Sequence, residues 1–228
     1  MVGTLVNTGA IIIGGSLGLL FRKGIPSKLT DTIMNGLALC VLYIGFTGAL
    51  KGENSLVIIF SMVIGAVIGE CLDLDERVNQ LGLWLERKFK KVDSKTSISE
   101  GFVTASLLFC VGAMAIIGAL QDGLVGNYDM LLTKSMLDGV SAVIFASTLG
   151  IGVILSGAFV LTYQGSISLL AGVLAPFLTD SVINEMACVG SLLIIALGFN
   201  VLKITHIKIM NLVPAIFIPI LLGLGLFL

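Results

Sequence analysis

Lys134 and Asp138 stand four residues apart at the threshold of an uncharged tract, since no Asp, Glu, Lys or Arg occurs from Gly139 to Thr179. A spacing of four puts both side chains on one helical face, where the pair neutralises itself. At about 1.5 Å per helical residue the tract is roughly twice as long as a bilayer core needs, so it must turn back at least once. An ionisable residue at membrane depth is costly and by default marks an ion or proton pathway. Asp138 is therefore a candidate coupling carboxylate with Lys134 as its counter-ion. The competing reading places both at the outer headgroup level as an ordinary pair where a helix begins.

Inside the tract, Tyr163-Gln164-Gly165-Ser166 is a polar break. Gln164, with Thr162 and Ser166 nearby, offers oxygens to a cation or donors to an anion. Asn7 and Thr8 lie in the first apolar stretch, about two turns before Gly14-Gly15-Ser16. Thr104 and Ser106 precede Cys110-Val111-Gly112, and Asn200 stands near the end of a later apolar stretch. Neutral polar groups of this kind commonly bond between membrane helices. Their number beside two glycine interruptions makes Asn7, Thr8, Gly14, Gly15, Ser106, Lys134, Asp138, Gln164, Gly165, Ser166 and Asn200 candidates for one ion or solute site.

The elements that must position these residues follow from composition. With 228 residues, 57% apolar and only 12% charged, and a mean hydropathy of +1.10, the chain lacks enough polar surface for a soluble domain and reads as an integral membrane protein. The stretch from Val2 to Phe21 has no basic residue before it, unlike a secretory signal, and is expected to be a retained first membrane helix. Further apolar segments run over about 32–50, 55–72 and 99–120, then the long tract from 137, then 182–202 and 209–228. The fold class expected is an all-α polytopic bundle of about seven or eight passes with interrupted helices.

Charge placement orients the bundle. Arg22, Lys23 and Lys28 follow the first segment, and Arg77, Arg87, Lys88, Lys90, Lys91 and Lys95 follow the third, whereas only Lys51 follows the second. Cytoplasmic loops collect Lys and Arg, which puts the N-terminus outside and the 73–98 segment in the cytoplasm. The loop Gln121 to Thr133 holds Asp122 and Asp129 and no basic residue, as an outer loop would, while Lys203, His206 and Lys208 favour the inside. All of these together require the tract to cross twice, roughly 137–150 inward and 152–174 outward. That gives eight passes, whereas a dip and return over 165–177 gives seven. Within 73–99, Val78, Leu81, Leu85 and Phe89 share one helical face with Trp84 beside them and a basic cluster at the end, the pattern of a helix lying in the membrane interface.

The chain also repeats itself. Leu29-Thr30-Asp31-Thr32-Ile33-Met34-Asn35 matches Leu178-Thr179-Asp180-Ser181-Val182-Ile183-Asn184 with four identities and three conservative changes. Gly15-Ser16, Leu19-Leu20, Pro26 and Gly45-Phe46 find partners at Gly165-Ser166, Leu169-Leu170, Pro176 and Gly198-Phe199. The organisation expected is a first membrane repeat at 1–72, an amphipathic linker at 73–98, intervening helices at 99–151 and a second repeat at 152–228. With eight passes the repeat is inverted, and with seven it is parallel. Paired interruptions at Gly14-Gly15-Ser16 and Gln164-Gly165-Ser166 would mark a midplane site of the transporter kind. Close helix packing through Gly14-x-x-x-Gly18 and Gly65-x-x-x-Gly69 is the rival use of the same glycines.

Other chemistry finds little support. The four cysteines, Cys40, Cys71, Cys110 and Cys188, lie in or beside apolar segments without metal spacing and are expected to be packing thiols. His206 is the only histidine, and no P-loop, Rossmann glycine pattern or Cys-x-x-Cys occurs. The chain is therefore expected not to be an enzyme, to hold no metal or cofactor beyond a coupled Na⁺ or H⁺, and not to bind nucleic acid.

Gly24-Ile25-Pro26, the run Ser106-Leu107-Leu108-Phe109-Cys110-Val111-Gly112, Lys134-Ser135 with Leu137-Asp138-Gly139, and Gln164-Gly165 resemble the YqgA/YdfK family of bacterial membrane proteins, a domain-of-unknown-function family. The likeness covers essentially the whole chain and implies a bacterial inner-membrane location, with no activity attached. Ala113 departs from it, standing where the family pattern has proline, which weighs against a proline-induced helix break there. The function expected from the residues is a small secondary-transporter-like protein moving a small polar or anionic solute with Na⁺ or H⁺, in a homodimer among membrane lipids. The alternative is a scaffold or signalling component acting through 73–99.

Overall fold

The computed structural model describes residues 1–22, 27–88, 98–111 and 113–223. Among these, all regular structure is helical: α1 (Val2–Arg22), α2 (Ser27–Ala49), α3 (Ser55–Leu72), α4 (Leu74–Lys88), α5 (Ile98–Cys110), α6 (Ala113–Leu124), α7 (Asp129–Leu149), α8 (Gly152–Leu169), α9 (Ala171–Leu174), α10 (Asp180–Val201), a 3₁₀ helix η1 (Ile209–Phe217) and α11 (Ile218–Gly223). Among the described residues six helices are long and apolar enough to cross a membrane, and the bent pair α5 and α6 makes a seventh span if taken as one. The protein is thus an all-α, multi-pass membrane bundle. The last apolar segment is nine residues of 3₁₀ followed by six of α, with Pro214 inside. A 3₁₀ rise of about 2.0 Å against 1.5 Å per α residue stretches it toward roughly 27 Å, near the thickness of a bilayer core.

The long uncharged tract turns between α7 and α8. Gly150 takes φ 81°, a left-handed value that favours glycine, and closes the end of α7. The expected division at about 150 and 152 is met. Two other expectations need correcting. Helix α1 runs unbroken through Gly14-Gly15, and α8 runs unbroken through Gln164-Gly165, because in lipid no water replaces a lost backbone bond and a helix has every reason to continue. The break falls instead in the segment expected to be a single pass at 99–120, where α5 and α6 meet at 62°. It occurs without a proline at 113. Gly112, a weak helix former, lies at this junction outside the described residues. Helix α4 forms within the expected linker and exposes Trp84. Val78 is half-buried, while the side chains of Leu81 and Leu85, and all of Phe89, lie outside the described residues.

The chain divides into two compact units. One comprises Met1–Asp31, Val78–Cys110 and Met114–Val173, and the other Thr32–Arg77, Val111–Ala113 and Leu174–Leu228. In the first, α1 packs most extensively on α7, then on α8, while α5 packs on α8. A Cβ on Gly14 or Gly18 would collide with the carbonyls of Gly139 and Val143 on α7, so small residues let two membrane helices touch backbone to backbone. Ascending pairs (14 with 139, 18 with 143) make α1 and α7 parallel. Gly15 faces Ile154 and Gly157 faces Ile12, which makes α1 and α8 antiparallel.

In the second unit, Gly45 abuts Ile195 and Gly52 abuts Cys188, so α2 and α10 are antiparallel. Gly65 abuts Ala215 and Gly69 abuts Asn211, so α3 and η1 are antiparallel as well. Thr179 of the repeated motif caps α10 by accepting from the Val182 N–H. Asn54 caps α3 by accepting from the N–H groups of Leu56 and Val57. Asn54→Ala is expected to cost about 1 kcal/mol, read as a fall of about 2–4 °C in the thermal unfolding midpoint. An unchanged midpoint would mean that the cap contributes nothing.

Candidate functional site

Lys134 and Asp138 sit in the second and third turns of α7, which begins earlier than the tract itself because Asp129 to Thr133 are already helical. Lys134 is 7% and Asp138 6% exposed, so the pair is buried in protein. The Lys134 Nζ lies 2.8 Å from Asp138 Oδ2 and 2.9 Å from Oδ1, an ammonium astride both carboxylate oxygens. Removed from water, such a pair is tolerable only if its remaining hydrogen-bonding capacity is met.

Asn7 meets part of it. The close approach of α1 to α7 brings Asn7 Nδ2 within 3.1 Å of Asp138 Oδ2, and the same nitrogen donates to Gln164 Oε1 at 3.2 Å. The carboxylate can only accept from Asn7 and therefore fixes which way the Asn7 amide faces. Asn7 and Gln164 are both 0% exposed. Three helices, α1, α7 and α8, thus contribute to one connected chain: Gln164, Asn7, Asp138, Lys134. The four residues are drawn from across some 157 positions of sequence.

This chain is incompletely satisfied. Asn7 Oδ1 and Gln164 Nε2 are buried without a hydrogen-bond partner, and so are the hydroxyls of Thr4, Thr8, Thr104, Ser106 and Ser168, all in the same unit. Helix interiors rarely leave so many polar atoms unmet, since each costs about 1–3 kcal/mol. Cys110, the last residue of α5, lies close enough to Lys134 and Asp138 to feel both charges, and Ser106 is one turn before it on the same face. The last carbonyls of α5 have no intrahelical partner and carry the negative end of its dipole.

The other candidates fall elsewhere. Gly14 and Gly15 are packing residues, as above, and Gly165 is buried near Met1. Ser166 is exposed and donates to the Tyr163 carbonyl of its own helix. Thr8 is buried beside Asn7. Asn200 does not join the cluster. It belongs to the second unit, where it accepts from Thr205 Oγ1 and the Ile207 N–H and donates to the Ile207 carbonyl, holding the turn after α10.

Glu185, not singled out by spacing or motif, is fully buried on α10 and accepts the N–H groups of Glu53 and Asn54 through one oxygen at 2.8 and 2.7 Å. The one charged residue in the apolar segment 182–202 was the available signal. Asp122, expected in an outer loop, lies buried near the end of α6 and accepts the Gly3 N–H at 3.1 Å.

The family described as protein of unknown function (DUF554) matches residues 2–224. The uncharacterized membrane protein YdfK of Bacillus subtilis (strain 168) is 35% identical over 223 residues, covering 96% of this chain and 94% of YdfK. The uncharacterized protein YqgA of Escherichia coli (strain K12) is 29% identical over 219 residues, covering 95% of this chain and 93% of YqgA. No solved structure gives a significant match.

Proposed function

The chain belongs to the DUF554 family, and we propose that it is a small secondary-transporter-like protein of the bacterial inner membrane, moving an ion or small polar solute through the Asn7, Lys134, Asp138 and Gln164 cluster. One observation carries the reading: an ion pair buried among membrane-length helices whose carboxylate accepts from the Asn7 amide, which in turn donates to Gln164, while the remaining polar atom of each amide has no partner. A purely structural network would be closed, because buried groups left unmet only destabilise. A site that exchanges ligand must leave them open.

Helix directions support the wider architecture. Each segment of the first repeat lies against its counterpart in the second, α1 on α8, α2 on α10 and α3 on η1, and each pair is antiparallel. Antiparallel counterparts are what an inverted repeat produces, and inverted repeats with sites near the midplane are common among transporters. They favour the eight-pass arrangement, and the placement of Lys and Arg would then put the N-terminus outside and 73–98 in the cytoplasm. The discontinuous element is then the pair α5 and α6.

The test begins with a thermal-shift panel of ions and small metabolites on the purified protein, since a ligand at 100 times its Kd adds about 2.7 kcal/mol. Flux of the stabilising solute is then measured in vesicles. Asp138→Asn and Gln164→Ala are expected to lower it to the level of empty vesicles while the proteins remain monodisperse. Undiminished flux in both variants would remove the site, and with it the transport reading.

A further inference from the structure

We propose that the cluster takes one monovalent inorganic cation in exchange for the Lys134 proton, so that transport is electroneutral cation/proton antiport. This rests on the transport reading above and names its substrate class.

Charge sets the stoichiometry. Among the described residues Lys134 and Asp138 are the charged pair of the cluster, and together they are neutral. A net charge carried into a region walled by apolar helices is strongly disfavoured. A cation M⁺ binding at the Asp138 carboxylate would leave the site positive unless a positive charge departs. The Lys134 ammonium can supply it: Nζ–H breaks, the proton leaves for the bulk, neutral Lys134 swings off the carboxylate, and M⁺ takes its place. Charge on the site is zero before and after. Return of the proton to Lys134 re-forms the ion pair and expels the cation on the other side.

The choice of lysine allows this, because a lysine gives up its proton when burial or loss of its partner disfavours the charge, whereas an arginine stays protonated. Among the described residues, the ionisable groups within electrostatic reach of Lys134 are Asp138 on its own helix and Cys110 on α5, and Tyr163 of α8 is within reach of Cys110.

The unmet atoms favour a cation over an anion. Besides the carboxylate, Asn7 Oδ1 is an acceptor without a donor, and Ser106 Oγ, also without a partner, lies on the face of α5 that leads to Cys110. The last carbonyls of α5 carry the negative end of its helix dipole. Hard oxygen donors of mixed charge suit alkali cations, and unwound carbonyls with half-helix C-termini serve them elsewhere. Gln164 Nε2 is the one unmet obligate donor among these groups.

The protein is reconstituted into vesicles carrying an internal pH dye and a membrane-potential dye, and is given external pulses of NaCl or KCl. Wild type is expected to alkalinise the lumen in response to one of the cations, to leave the potential dye silent, and to keep the same rate when the potential is clamped. Lys134→Arg retains an ion pair but releases no proton, and its exchange should fall to that of empty vesicles while its thermal stability stays near wild type.

The antiport proposal is overturned by a wild-type response that generates potential, by cation movement without protons, by undiminished exchange in Lys134→Arg, or by lumenal acidification that follows the anion rather than the cation. If some other solute is carried and that flux depends on Asp138, transport stands and antiport fails. If flux persists in both Asp138→Asn and Gln164→Ala, the site itself falls.

Discussion

Asp138→Leu lowers the stability of the folded protein by about 3–5 kcal/mol, the usual result of leaving one buried partner of an ion pair uncompensated. The double variant Lys134→Met, Asp138→Leu recovers most of that loss. The reason is the asymmetry of desolvation. Lys134 and Asp138 are 9% and 8% exposed in their side chains, so either charge left alone can neither reach water nor find a second partner of opposite sign in the cluster. Removing both removes the penalty, and apolar side chains of similar size are often as stable as the pair they replace. Thermal unfolding in one detergent, with all variants measured together, reads the difference. Vesicle flux then separates stability from function, since the double variant is expected to be well folded and silent. A double variant as unstable as the single one would show that the pair holds the unit together by geometry that apolar groups cannot reproduce.

The second large effect concerns the other unit. Gly69→Val is expected to abolish recovery of monodisperse protein, and Gly65→Val to come close to it. The ideal Cβ of Gly69 falls on the backbone carbonyl of Asn211, and that of Gly65 on the backbone of Ala215. No rotamer change relieves a contact with backbone, so α3 and η1 would have to separate. Overpacking of this kind commonly costs about 1–3 kcal/mol where side chains can yield and more where they cannot.

Separation would also break a junction that depends on Asn211. Its Nδ2 donates to Glu70 at 2.6 Å and its Oδ1 accepts the Asp75 N–H at 2.7 Å. Gly9→Ala and Gly36→Ala serve as controls, because nothing lies within 4 Å of a Cβ at either position. Size-exclusion recovery after solubilisation checks the series, and normal recovery of Gly69→Val would mean that α3 and η1 do not pack as described.

Much of this was legible in the chain. Apolar runs longer than a bilayer needs, separated by charge, must become membrane helices wherever they fold, because lipid leaves the backbone no other way to satisfy itself. The pairing of Lys134 with Asp138 was readable from a spacing of four. The turn at Gly150 was readable from a tract too long to cross once. The glycines were legible as special but ambiguous in purpose: Gly14 and Gly18 could loosen a helix or let two helices touch, and a one-dimensional pattern carries no neighbour against which to decide. The neighbour is Gly139 with Val143, and close packing is the use the fold makes of them.

Asn200 shows the same limit from the other side. Its residue type suited a site, yet a turn seven residues ahead claims all its hydrogen bonds. Glu185 was overlooked because its partners, the N–H groups of Glu53 and Asn54, lie some 131 residues away.

By itself the sequence determined that this is an all-α, multi-pass membrane protein of the DUF554 family, with a lysine and an aspartate one helical turn apart at the start of its longest uncharged tract. Those properties depend on composition, local spacing and the bilayer's demand for internal hydrogen bonding, all of which act within a single segment. Tertiary structure alone decided that the pair is buried in protein, that Asn7 bonds it and Gln164 bonds Asn7, that α1 and α8 continue where a break was expected, and that the break lies between α5 and α6. These are matters of which faces meet. Apolar lipid tails give helices no hydrophobic reason to prefer one neighbour over another, so close packing of small residues and a few polar bonds make the selection.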